Sequence, residues 1–77
     1  MHTMLIVFNE NMTQETLLYI IAEMAYGVEK FGVRLDAGLF GNRVSLNLLE
    51  YSREIISSIV EYLLGLPNED VGSIEML

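Results

Sequence analysis

Val33, Leu35, Ala37 and Leu39 alternate with Arg34, Asp36, Gly38 and Phe40. After Gly41-Asn42 the alternation resumes, with Val44, Leu46 and Leu48 set against Arg43, Ser45 and Asn47. A period of two sends successive side chains to opposite faces of an extended strand. A two-residue connection led by glycine folds the chain back, because the first central position of such a turn requires a positive φ. The segment therefore predicts an antiparallel hairpin. A lone hairpin is not stable in water, so the rest of the chain has to cover one side of it.

The flanking segments supply that cover. Met4 to Phe8 is an uninterrupted apolar run ending in Asn9-Glu10-Asn11, which predicts a first strand buried on both faces. Asn11, with Gln14 three residues on, reads as a helix N-cap. Leu17, Ile20, Ile21, Met24, Val28 and Phe31 then follow at spacings of three and four, up to a terminating Gly32. Beyond the hairpin a second helix is expected from Tyr51 or Ser52. Ile56, Ile59, Val60 and Leu63 form its inner stripe, Ile55 and Leu64 flank it, and Gly65 and Pro67 stop it. Asn68-Glu69-Asp70 is a loop, and Val71 to Leu77 predicts a last strand with Ile74 and Met76 on one side.

This order, β-α-β-β-α-β, resembles the ferredoxin-like arrangement: an α+β sandwich with a four-stranded antiparallel sheet and two helices on one face. The first and third strands would be central, and the second and last would be edges. All 77 residues fit a single domain, residues 1–77. Cysteine is absent, so the core has to hold by packing alone. The arrangement hosts many unrelated activities, so function has to be read from the residues.

With both helices on one side, the other side of the sheet should face water. It is expected to carry Arg34, Asp36, Ser45 and Asn47 but also Phe40 and Leu49, and either Leu5 with Val7 or Met4 with Ile6 and Phe8. With 52% of the chain apolar, that face predicts self-association as a homodimer, through the open face or a sheet edge. The competing reading lays the stems of Arg34 and Arg43 over the apolar residues of a monomer. A second candidate surface is the outer side of the first helix, where Tyr19 and Tyr26 fall together with Glu15 and Glu23 nearby. The candidate protein-binding residues are thus Arg34, Asp36, Phe40, Arg43, Ser45, Tyr19, Glu23 and Tyr26.

Eleven acids against four bases give a net charge of −7, which disfavours direct binding to nucleic acid or anionic lipid. The bases, Lys30, Arg34, Arg43 and Arg53, all lie between positions 30 and 53 and are expected near the hairpin and adjoining helix ends. Acidic helix faces carrying Glu15, Glu23, Glu54 and Glu61 could imitate phosphate spacing and occupy a basic nucleic-acid-binding groove, or simply be solvated. The N-terminal segment has no basic leader, and no stretch has the length of a membrane span. A cytoplasmic protein is expected.

Catalysis is not expected. His2 is the lone histidine and falls in a terminus expected to fray, and Glu69-Asp70 lack the spaced ligands of a calcium loop. No phosphate-binding glycine motif is present. Acylphosphatases share this element order and hold phosphate with an arginine in the loop after the first strand, where this chain has Asn9-Glu10-Asn11. Metal-carrying domains of the same shape place Cys-x-x-Cys there. Neither a cofactor nor a metal is expected. Three functions fit: a protein-binding module acting as inhibitor or accessory subunit of a larger partner; an amino-acid sensor, since the element order is similar to that of ACT-type regulatory domains; or a structural subunit of a phage or cellular assembly pairing through the edges at 33–40 and 71–77.

Overall fold

The structure is a computed structural model in which residues 2–48 and 52–77 are described. It contains β1 (His2–Phe8), α1 (Gln14–Glu29), β2 (Asp36–Phe40), β3 (Arg43–Leu48), α2 (Arg53–Leu64) and β4 (Val71–Met76). The strands form one antiparallel sheet in the order β2-β3-β1-β4, and the fold is the ferredoxin-like βαββαβ sandwich expected. Among the described residues no helix is long and apolar enough to cross a membrane. Leu49 and Tyr51, expected on the open face and at the start of the second helix, lie outside the described residues.

The core is the layer between sheet and helices. Met4, Ile6 and Phe8 of β1 and Val44, Leu46 and Leu48 of β3 meet Leu17, Ile20, Met24 and Val28 of α1 and Ile55, Ile59 and Leu63 of α2, all buried. The choice left open for β1 is thereby decided. Leu5 and Val7 point to the open face and stay half-buried, so β1 is not dry on both sides.

The hairpin turn forms as expected, with Gly41 at φ 62°. Its tip is tied to the end of β1: the Phe8 N–H donates to the Asn42 carbonyl at 2.8 Å, and the Asn42 Nδ2 donates to the Phe8 carbonyl at 2.6 Å. Asn9 fastens the same end to the approach to β4, its N–H donating to the Asp70 carbonyl at 2.8 Å and its Nδ2 to the Glu69 carbonyl at 3.0 Å.

Several expected boundaries shift, each for a local reason. Thr13 rather than Asn11 caps α1, because the Asn11 N–H is taken by the Asn9 Oδ1 at 2.9 Å while the Thr13 hydroxyl accepts from the Thr16 N–H at 3.2 Å. The helix stops at Glu29, so Phe31 leaves the apolar series and sits 40% exposed beneath the Lys30 ammonium, 5.2 Å from its ring centre. Strand β2 begins at Asp36, not Val33. In α2 the inner stripe is Ile55, Ile59 and Leu63: Ile59 and Leu63 are buried as expected, while the flanking Ile55 replaces Ile56 and Val60, which stay half-buried, a rotation of about 50°. His2 pairs with Leu48 inside β1 instead of fraying.

The helices approach closely where Gly27 faces α2. A Cβ there would meet the Ser58 Oγ at 3.7 Å, an ordinary van der Waals contact. Glycine inside a helix carries a backbone-entropy cost that alanine avoids, so Gly27→Ala is expected to raise stability by about 0.5–1 kcal/mol. Chemical denaturation checks this, and a loss would mean that the crossing is tighter than described.

Candidate protein-interaction site

The open face of the sheet is more polar than expected. By register it presents Asp36, Gly38 and Phe40 from β2, Arg43, Ser45 and Asn47 from β3, Thr3, Leu5 and Val7 from β1, and Ser73 and Glu75 from β4. Leu5 lies between Ser45 and Glu75, and Val7 between Arg43 and Ser73, so the two central apolar side chains are flanked by polar ones. The Thr3 hydroxyl donates to the Asn47 Oδ1 at 3.1 Å, and the Asn47 Nδ2 reaches the Asp36 Oδ2 at 3.5 Å. Phe40, 86% exposed beside Arg43, is the large apolar side chain left bare there.

The broader apolar surface lies on α1, on the side turned away from α2. Taken at about 100° per residue, Glu15, Leu18, Ala22, Ala25, Tyr26 and Glu29 occupy one flank of roughly 100°, while Gly27, which faces Ser58 of α2, lies opposite. Leu18 is 56% and Tyr26 76% exposed. Alanines in the middle of the flank leave the helix surface low between the two larger side chains. Toward the C-terminal end of α1, Ala22, Ala25, Tyr26 and Glu29 meet Gly32, Val33, Arg34 and Leu35 across a groove of about 720 Å³.

This flank runs beside one of the two edges of the sheet, the β2 edge. Strand β2 pairs only with β3, and the turn bond between Phe40 and Arg43 makes theirs a hydrogen-bonded pair. Strict alternation from there turns the N–H and C=O groups of Ala37 and Leu39 outward, away from β3.

The eight candidate residues therefore separate into three places. Asp36, Phe40, Arg43 and Ser45 share the open face. Arg34 does not join them, because the chain enters β2 only at Asp36; it lines the groove with Tyr26 instead. Tyr19 and Glu23 stand with Tyr62 of α2 where the outer helix faces meet. Of the four bases, Arg43 alone adjoins the hairpin turn; Lys30, Arg34 and Arg53 lie at the opposite end of the sandwich, where α1 finishes and α2 begins. Sequence reasoning missed Leu18, Ala22 and Ala25, whose spacing with Tyr26 was the available signal.

The tyrosine pair has a measurable consequence. A hydrogen bond to Glu23 and the charge of that carboxylate hold the Tyr19 phenol above the usual tyrosine value, while partial burial, then Glu23 and Tyr19, raise that of Tyr62. Raised folded-state values favour the neutral phenols, so this contribution is complete below the unfolded tyrosine value and disappears as pH climbs through the folded values. A phenolate absorbance titration should show the late transitions, and Glu23→Gln should bring them back toward the ordinary range. Unmoved transitions would remove Glu23 as the cause.

Among the described residues no group of three or more histidine, aspartate or glutamate side chains could hold a metal ion. No protein-family model matches the chain, and no curated protein matches its sequence.

Proposed function

We propose that the chain is a non-catalytic protein-binding module that meets another protein through the α1 flank and the free edge of β2. The observation that carries this reading is the exposed Leu18–Ala22–Tyr26 stripe lying alongside an unpaired strand edge. Such a surface can hold a partner in two ways at once, by main-chain bonds along the edge and by apolar packing in the groove. The acidic surface outside this flank, in a chain of net charge −7, suits a basic larger partner, for which the module serves as accessory subunit or inhibitor. Binding of that acidic kind weakens as salt rises.

A photoreactive residue placed at position 22 should cross-link to protein in cells, and one at position 73, on the open face, should not. The reading fails if position 22 gives no protein adduct. It also fails if free amino acids or nucleotides stabilise the chain thermally and changes in the groove abolish that effect, the behaviour of a small-molecule sensor.

A further inference from the structure

We propose that the partner on this flank is a second copy of the chain, joined β2 to β2 across a twofold axis, with the two α1 helices antiparallel above the join. The inference rests on the protein-binding reading of the same surface.

Two antiparallel edge strands related by an axis perpendicular to the sheet extend it without a break and keep both helix layers on one side. The outward groups of Ala37 and Leu39 then find partners, and an exposed edge that invites indiscriminate pairing is covered. Because α1 lies over β2, the same axis brings the two α1 flanks together. Alanines 22 and 25 occupy the middle of each flank, where a helix crossing needs small side chains to reach the interaxial distance of about 8–10 Å. A dimer of standard size takes about 800 Å² from each copy, out of the 5145 Å² this chain exposes. An extended flank with a strand edge can meet that requirement, and a single bare ring such as Phe40 cannot.

The charges select the antiparallel arrangement. Glu15 lies in the first turn of α1, whereas Lys30 and Arg34 follow its last turn. From position 15 to position 29 the helix rises about 21 Å, so Glu15 and Arg34 of one chain do not meet. Reversing one α1 against the other brings Glu15 of each copy, twice per dimer, to the end of its neighbour where Lys30 and Arg34 outnumber Glu29. A parallel arrangement would set Lys30 and Arg34 against their own counterparts.

Light scattering over a concentration series supplies the test, with Arg34→Glu and Glu15→Arg as separate variants and as an equimolar mixture. The wild type should approach twice 8.7 kDa. Each single variant, which turns both contacts into like-charge pairs, should raise the dissociation constant about tenfold at low salt. The mixture should recover wild-type affinity, because each contact between unlike variants joins opposite charges again. Both positions are exposed, so Arg34→Glu should leave the monomer's own stability unchanged, and Glu15→Arg should lower it only by the small loss of an acidic first turn in α1, which denaturation of the dilute chain reads separately. A wild type that stays at 8.7 kDa through millimolar concentration overturns the inference. So do single variants that dimerise normally, or a mixture no tighter than its components. If self-pairing fails while position 22 still cross-links to another protein, the protein-binding reading stands without it; if both fail, so does that reading.

Discussion

Phe8→Ala is expected to leave most of the chain unfolded. Truncating a buried phenylalanine costs about 3–5 kcal/mol, from lost transfer free energy and from the cavity left behind. A single core in a chain of this length supplies about the same amount in total. Phe8 is 1% exposed and closes the core at the hairpin end, packed in the cluster that includes Met4, Ile6 and the buried faces of both helices. Far-ultraviolet circular dichroism should show loss of cooperative structure without denaturant. A sharp transition near the wild-type midpoint would mean that the core does not depend on β1 as described.

Asn42→Ala should cost about 1 kcal/mol, the contribution of a hydrogen bond that is only partly shielded from water. The Asn42 side chain donates to the Phe8 carbonyl at 2.6 Å, while its own carbonyl accepts from the Phe8 N–H at 2.8 Å. The backbone bond survives the substitution, and the side-chain bond does not. Asn42→Asp separates shape from hydrogen bonding: it keeps the volume but sets an acceptor against the carbonyl, so it should be at least as damaging as alanine. If Asn42→Asp behaved like the wild type, the side-chain bond would be incidental and the turn would be held by Gly41 and the backbone bond to Phe8.

The fold was legible because its signals were local and mutually consistent. Alternation across 33–48, a glycine-led turn and two helical periodicities admit few arrangements, and pairing set the strand order. What the sequence left undecided was phase. In Met4–Phe8 every residue is apolar, so nothing within the run says which set faces the helices; the register, with Leu5 opposite Ser45, decides it. In α2 the neighbouring pairs Ile55-Ile56, Ile59-Val60 and Leu63-Leu64 offer two faces about 100° apart, and only packing against the sheet selects Ile55, Ile59 and Leu63. At the start of α1 two good capping residues compete, and Asn9 settles the matter by capturing the Asn11 amide.

The proposed interaction surface was less legible than the fold. Tyr26 was singled out for its alignment with Tyr19, yet its neighbours in the structure are Ala22, Ala25 and Arg34. Alanine at positions 22 and 25 reads as a neutral helix former. It becomes a low point in an exposed stripe only when α1 is placed over β2 with α2 on its other side. The open face lost standing for a related reason: Phe40 and Arg43, Gly38 and Ser45, and Asp36 and Asn47 pair across the strands, so the hairpin shows water a mostly polar surface.

The proposed self-association through the α1 flank and the β2 edge can be read residue by residue in a dilution series of backbone amide spectra. Signals from Leu18, Ala22, Ala25, Tyr26, Ala37 and Leu39 should shift or broaden with concentration, while those of Thr3, Leu5, Ser45 and Ser73 stay in place. Changes confined to the second set, or none in either up to millimolar concentration, would contradict self-pairing through this surface.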